Sequence, residues 1–191
     1  MEQWFITSKT KDMKTKLSLL FVSLLMLSGC DWFDSVDDVT ISTDLTMDIP
    51  VAVTGISKSA PLNTKIAVYN FSVSQDLSLA NNEDIEPYLQ KIKSIDLKSL
   101  LVTVTGLTTD QTINTISLSV TDVGTLFTQT NITSTSNSFT PQIDAALLKK
   151  AEDKFKSDKK ITVTVSGTTN AIMTFTVNLD FDTDIVANAL D

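Results

Sequence analysis

The stretch Val39-Thr-Ile-Ser-Thr-Asp-Leu-Thr-Met-Asp-Ile-Pro-Val-Ala-Val53 decides the fold class of this chain. Apolar and polar residues alternate along it, which is the period-two pattern of a strand with one buried face and one wet face. Pro50 falls on the polar phase, and a proline inside a strand is typical of a sheet edge. Because the run is long for a single strand, we expect an edge strand that bends or changes sheet near Pro50.

Three segments with the order Val-x-Val-Ser/Thr-Gly recur along the chain, at Val51–Gly55, Val102–Gly106 and Val163–Gly167. A polar turn follows each glycine and leads into a second alternating run, over 66–73, 113–120 and 173–181. The pattern predicts three hairpins, each with a first strand that ends at the glycine. A bulge is expected near Tyr69 and Asn70, where the apolar phase switches. The repeated pattern has two possible origins: duplication of one unit, or independent strands that share a sequence pattern common in β-strands.

Helical patterns separate these predicted hairpins. The first helix is expected from Pro87 to about Ser94, with acids near its start and lysines near its end, which suits the helix dipole. The second is expected to use Thr140 as N-cap and Pro141 as its first residue, and its apolar stripe consists of Ile143, Leu147, Ala151 and Phe155. We expect this amphipathic face to cover an open sheet end, with membrane binding as the alternative. The pattern also allows a last short helix over 185–190.

Alternating strands with one wet face need a second sheet or helices over the other face. We therefore expect residues 39–191 to form a single, mainly β domain. Its predicted architecture is an antiparallel β-sandwich of six or seven strands with two short crossover helices. The immunoglobulin-like class is the nearest comparison, although the chain, with one cysteine, lacks the Cys-Trp-Cys core pattern of that class.

The composition argues against an enzyme. The chain has no histidine and one cysteine, so it lacks the pairs needed for a zinc site, a Ser-His-Asp triad or a Cys-His dyad. Neither a nucleophile motif of the G-x-S-x-G type nor a phosphate-binding glycine loop is present. Two carboxylates could still perform acid and base chemistry, which leaves a small hydrolase as the weaker alternative. We predict a non-enzymatic protein without a cofactor.

Residues 1–29 have the features of a secretory signal peptide. Lys14 and Lys16 precede an apolar run over 17–27, whose 11 residues fall short of the roughly 20 apolar positions that span a bilayer. Met13 begins a more compact signal peptide than Met1 does. Both starts remain open, and Met13 is favoured.

Small residues stand directly before the single cysteine, in the order Leu27-Ser28-Gly29-Cys30. These four residues resemble the lipobox of bacterial lipoproteins at every position. The resemblance implies cleavage after Gly29 and acyl chains on the sulfur and amine of Cys30. Since each buried methylene contributes about 0.8 kcal/mol, several acyl chains would hold the protein on a membrane. An unmodified buried cysteine is the alternative.

Residues 30–38 are predicted to form a lipidated acidic tether, because 31–38 (DWFDSVDD) are acidic, lack lysine and show no sustained periodicity. Trp32 and Phe33 either enter the lipid interface or fold back on the domain. The acids after Cys30 resemble export signals of surface lipoproteins of the Bacteroidota, whereas Asp31 resembles an inner-membrane retention signal of enterobacteria. We expect a lipid-anchored protein of the bacterial cell envelope, on the periplasmic or surface side of the outer membrane.

The charge of the processed chain limits its partners. Removal of residues 1–29, which hold four lysines and two acids, changes the formal charge from −8 to −10 and leaves 162 residues without arginine. Nucleic acids are recognised through clustered lysine and arginine, so we exclude them. The expected partners are the lipid membrane through Cys30 and envelope proteins or glycans.

Three carboxylates near the C-terminus form a weak candidate metal site. Asp180, Asp182 and Asp184 share one phase of the last alternating run. They could gather a calcium ion, but strand residues two positions apart are separated by about 7 Å, and the glycine turn of a calcium loop is missing. We interpret the three acids as the wet face of a strand.

Tyr69 and Tyr88 are candidate platforms for a sugar ring, because Trp32, the single tryptophan of the processed chain, lies in the tether. Tyrosines that border the core with a wet hydroxyl give the competing interpretation. We predict a binding or structural module in an envelope assembly, and a surface carbohydrate-binding or adhesin component is the alternative function.

Overall fold

The computed structural model describes residues 37–55 and 68–189. Its strands are β1 (Asp38–Val53), β2 (Tyr69–Ser78), β3 (Ile92–Thr105), β4 (Thr112–Val120), β5 (Gly124–Thr133), β6 (Ser138–Phe139), β7 (Lys160–Thr169) and β8 (Met173–Asn188). One α-helix, α1 (Ala145–Asp158), and two 3-10 helices, Leu79–Asn81 and Glu86–Lys91, lie between them. The predicted signal peptide, lipobox and most of the tether lie outside the described residues.

The strands form two four-stranded antiparallel sheets. Sheet A has the order β1-β8-β3-β6, and sheet B has the order β2-β7-β4-β5. The predicted mainly β fold, an antiparallel sandwich, is confirmed. The described residues contain eight strands rather than six or seven, because β5 and the two-residue β6 were not expected.

The order of the strands is that of a jelly roll. β1 lies beside β8, β2 beside β7, β3 beside β6 and β4 beside β5. The same four pairs occur in one long antiparallel hairpin in which the first strand pairs with the last, the second with the seventh, and so on. In a jelly roll this hairpin is wrapped so that successive pairs belong alternately to the two sheets. Eight strands in two such sheets define the jelly roll. In the immunoglobulin-like order the first two strands share a sheet, whereas β1 and β2 lie in different sheets here.

Alternation along the strands builds the core between the sheets. In β8 every second residue from Met173 to Ala187 is buried, and the residues between them are partly or fully exposed. Thr183 belongs to the buried set, and its hydroxyl donates to the carbonyl oxygen of Phe181 at 3.1 Å. Thr43 interrupts the apolar phase of β1, and its hydroxyl accepts a hydrogen bond from Asn82 Nδ2 at 3.1 Å. Both interruptions therefore retain hydrogen-bond partners.

Helix α1 contacts β3 of sheet A as well as β7 and β5 of sheet B, and it begins later than predicted. Its N-cap is Asp144, whose carboxylate accepts the N–H groups of Ala146 at 2.9 Å and Leu147 at 3.2 Å. Thr140 and Pro141 precede the helix, so the predicted start is wrong. The predicted stripe does face the core: Ala151 and Phe155 are buried, and Ile143 and Leu147 pack against it partly buried.

The three predicted hairpins are wrong. β1 and β2, β3 and β4, and β7 and β8 each lie in different sheets, so the chain crosses the sandwich after each first strand. β4 and β5, by contrast, pair directly. Their turn contains positive φ angles at Asp122 (65°) and Gly124 (118°).

Gly167 does not end its strand, because β7 continues to Thr169. A Cβ atom at position 167 would lie 1.9 Å from the carbonyl oxygen of Thr115 and 2.8 Å from Cζ of Phe71. The register of β4 against β7 shifts just beside this contact, between Ile113 and Thr115. This glycine is needed for the close approach of two strands rather than for a turn.

Several local predictions also need correction. β1 is an edge strand as predicted, but it stays in sheet A through Pro50. β2 begins at Tyr69 and pairs with β7 without a register shift, so the bulge near Asn70 is wrong. The first predicted helix is a 3-10 helix that ends before Ile92, where β3 starts. The helix over 185–190 is wrong because β8 continues through the fully buried Ile185.

Candidate functional site

The predicted lipidation and cleavage residues Leu27, Ser28, Gly29 and Cys30 lie outside the described parts of the chain. Within residues 37–55 and 68–189, no helix is long and apolar enough to cross a membrane. Three surfaces of the described residues are considered as candidate binding sites: the outer faces of the two sheets and a groove between their edges.

The outer face of sheet A is acidic. We define this acidic face by its carboxylates, which are Asp44, Asp48, Asp96, Asp180, Asp182 and Asp184. Two side-chain hydrogen bonds fix the position of β1 on β8: Ser42 Oγ donates to Asp184 Oδ1 at 2.6 Å, and Asn178 Nδ2 donates to Asp48 Oδ1 at 2.6 Å. These two contacts show that β1 and β8 are antiparallel.

Lys98 on β3 forms ion pairs with two of the three carboxylates that the sequence predicts as a candidate metal site. Its Nζ atom lies 2.8 Å from Asp184 Oδ2 and 3.9 Å from Asp182 Oδ1. The hydrogen bond from Lys98, followed by that from Ser42, lowers the pKa of Asp184. An ammonium group therefore occupies the position beside these two carboxylates.

Asp180 has a different environment from Asp184. Among the described residues, no hydrogen-bond partner reaches its buried Oδ1 atom. Burial, and then the negative charges of Asp44 and Asp182, raise the pKa of Asp180. No cluster of three metal-ligating side chains occurs in the described ranges. Asp180 is thus a carboxylate that takes up a proton more readily than Asp184 does.

The two candidate tyrosines lie far apart. Tyr69 opens β2 opposite Thr169, and Tyr88 lies in the 3-10 helix before β3. β2 runs for ten residues from Tyr69, or about 30 Å, before the chain reaches the helical segment that holds Tyr88. Both side chains are partly buried. They do not form a common sugar platform.

A polar groove of about 300 Å³ opens between the edge strands β1 and β2. The polar residues that line it are Asp44, Thr46, Asp48, Gln75, Asp76, Ser78, Asn81 and Asn82. Leu45, Met47 and Leu77 form its buried floor. Asp76 accepts hydrogen bonds from Thr162 Oγ1 at 2.6 Å and Lys160 Nζ at 3.1 Å, which lower its pKa in that order. No sequence motif indicates this groove, because its two edges are distant in the chain.

The outer face of sheet B carries uncharged side chains arranged in rows across four strands. We call this surface the hydroxyl face. In strand order, its three rows are Asn70–Thr168–Thr115–Thr130, Ser72–Ser166–Ser117–Thr128 and Ser74–Thr164–Ser119–Thr125. Eleven of the twelve positions are serine or threonine, and none is charged. The twelve side chains are exposed or partly exposed.

Hydrogen bonds between strands hold parts of this face in place. The hydroxyls of Ser74 and Thr164 lie 2.8 Å apart, as do those of Ser117 and Thr128. The next row begins with Asp76, so charge returns at one border of the face. The sequence shows the polar phase of the separate strands, but the rows depend on three registers that it does not specify.

Comparisons with known proteins give little further information. No protein-family model matches the chain, and no curated protein matches it. A solved chain titled Desmodium yellow mottle tymovirus is similar at 10% identity with a TM-score of 0.33, over 79% of this chain and 85% of that chain. At this identity and TM-score, the similarity assigns the chain neither a family nor a function.

Proposed function

We propose that the protein is a membrane-anchored lipoprotein of the bacterial cell envelope and that its β-sandwich is a non-enzymatic binding or structural module. The observation that carries this proposal is the sequence Leu27-Ser28-Gly29-Cys30 behind a short cationic and apolar leader. Lipidation of Cys30 would make the leader a processing signal rather than part of the fold.

Lipidation of Cys30 would also determine which end of the sandwich lies near the membrane. β1 begins at Asp38, eight residues after Cys30, and eight residues reach at most about 28 Å when fully extended. The end of the sandwich where β1 begins would therefore stay near the lipid. β8 finishes at this end, because Ala187 pairs with Ile92 at the start of β3. The turn between β7 and β8 would lie at the membrane-distal end.

Several surface acids have structural partners. The lowered pKa values of Asp76, Asp158 and Asp184 each arise from hydroxyl and lysine partners on the surface. Such pairs hold strands and helix ends in place and do not provide a general acid. Asp180 has a raised pKa but lies on the open face of a sheet, where it has Asp44 and Asp182 for neighbours.

Fractionation of cells tests the anchor. The full chain should be found in the membrane fraction, and Cys30→Ser should move it out of that fraction. Ser28→Ala is the matched control, because it keeps a small residue before the cysteine and should leave the protein in membranes. Membrane retention of Cys30→Ser at the level of the unaltered chain would refute the proposal.

A further inference from the structure

We propose that the hydroxyl face of sheet B binds a neutral polysaccharide chain. This inference rests on the proposed function as a binding module, and it names the surface and the class of ligand. It does not use the tyrosines or the acidic face.

The two outer faces of the sandwich differ in charge. Sheet A carries the six carboxylates of the acidic face, whereas the hydroxyl face has no charged side chain at its twelve positions. In a chain with 20% charged residues, the hydroxyl face is a surface of the described residues that a partner can cover without removing an ion from water. Covering an unpaired ion is far more costly than covering a hydroxyl that finds a new hydrogen bond. A neutral partner therefore fits the hydroxyl face better than the acidic face.

The chemistry of the face favours a partner rich in hydroxyls. Each serine or threonine hydroxyl donates one hydrogen bond and accepts others, and it rotates to suit its partner. Neighbouring strands lie about 4.8 Å apart, and residues two positions apart along a strand are separated by about 6.7 Å. The rows thus present a regular array of groups that both donate and accept. A polysaccharide carries hydroxyls with the same double capacity at each sugar.

The size of the face argues against a second copy of the chain as its occupant. From the strand spacings, the outermost Cα atoms of the face mark a rectangle of about 14 Å by 13 Å. The side chains extend beyond this rectangle on each side, so the face covers on the order of 400 Å². A standard protein interface uses about 800 Å² on each partner. The hydroxyl face is half that size, which suits a narrow extended polymer that crosses it.

Affinity electrophoresis of the full chain in detergent tests this inference. The probes are gels that contain dextran, mannan or xyloglucan, which are neutral, and a gel that contains alginate, which is anionic. We expect at least one neutral polysaccharide to retard the protein and alginate to have no effect. The Cys30→Ser chain should behave in the same way, so failure of the anchor proposal does not decide this test.

Two matched variants locate the surface. Thr164→Lys puts a hydrated charge at the centre of a row and should weaken retardation at least about fivefold, a change on the scale of one lost hydrogen bond or more. Thr176→Lys makes the same change on β8, the central strand of the other sheet, and should leave retardation unaltered. Both threonines lie on outer faces and are partly exposed.

A third variant separates a loss of binding from a loss of folding. Thr164→Val keeps the shape of the side chain and removes its hydroxyl, which also bonds to Ser74, and it should weaken binding by about two- to tenfold while the chain still unfolds in a cooperative thermal transition. The proposal is overturned if none of the neutral polysaccharides retards the chain or if Thr164→Lys binds as well as the unaltered protein. Equal weakening by Thr176→Lys, or self-association that Thr164→Lys abolishes, would overturn it as well.

Discussion

Gly167 lies on the inner phase of β7, where the carbonyl oxygen of Thr115 leaves no room for a side chain. Gly167→Ala would place Cβ 1.9 Å from that backbone oxygen, so a strand has to move. We expect a loss of about 1–3 kcal/mol in the free energy of unfolding, which is typical of overpacking. Urea denaturation monitored by circular dichroism measures this loss.

Gly55→Ala is the matched control, because a Cβ atom at position 55 has no heavy atom within 4 Å. It should change the free energy of unfolding by less than about 1 kcal/mol. Equal effects of the two substitutions would contradict the close contact between β7 and β4.

Asp180 and Asp184 belong to one strand and have pKa shifts of opposite sign. Burial raises the pKa of Asp180, so its ionised form destabilises the fold at neutral pH, and protonation relieves this as the pH falls through the raised pKa. Asp180→Asn should therefore raise the melting temperature at pH 7. The difference from the unaltered chain should shrink under acidic conditions that protonate Asp180.

Asp184→Asn provides the comparison. Lys98 and Ser42 lower the pKa of Asp184, so its stabilising effect is complete above the ordinary pKa of aspartate and is lost as the pH falls through the lowered value. This substitution should lower the melting temperature at pH 7. Thermal unfolding of both variants across pH 3–8 makes the test, and a lower melting temperature for Asp180→Asn at pH 7 would contradict the account of Asp180.

At the scale of the elements, Glu152 connects helix α1 to sheet A. The residue is 8% exposed, and its carboxylate accepts the backbone N–H of Leu97 at 3.1 Å, next to the bulge of β3 between Leu97 and Ser99. Glu152→Ala would leave a buried donor without a partner and should cost about 1–3 kcal/mol. Glu152→Gln keeps an acceptor oxygen and should cost less. Urea denaturation compares them, and equal losses would contradict this role of the hydrogen bond.

The elements also show what the sequence can and cannot specify. Strict alternation predicts β1 and the core phase of β8, because it depends on each strand alone. Alternation does not predict β5, because the bulge against β4 places the buried residues Leu126 and Phe127 next to each other. The start of α1 is ambiguous for a similar reason: Thr140 and Asp144 are both good N-caps, and the structure uses Asp144.

At the scale of the whole molecule, strand pairing is the part that the sequence does not specify. Val-x-Val-Ser/Thr-Gly followed by a polar turn fits a hairpin and a crossing between sheets equally well, because the inward phase of each strand is the same in both. The choice depends on long-range pairs such as β1 with β8. The rows of the hydroxyl face depend on the same pairs and could not be predicted either.

The proposed lipid anchor differs from the strand pairing, because four adjacent residues carry its signal and no fold is needed to predict it. The proposed compartment and orientation of the molecule depend on this anchor. The jelly-roll order does not supply a function, since unrelated functions share that fold.

Intact-mass spectrometry of the protein purified from bacterial membranes tests the central claim most directly. We predict a chain that begins at Cys30 and is heavier than the bare polypeptide 30–191 by the mass of its acyl groups. The mass of an unmodified chain, with or without residues 1–29, would contradict the account.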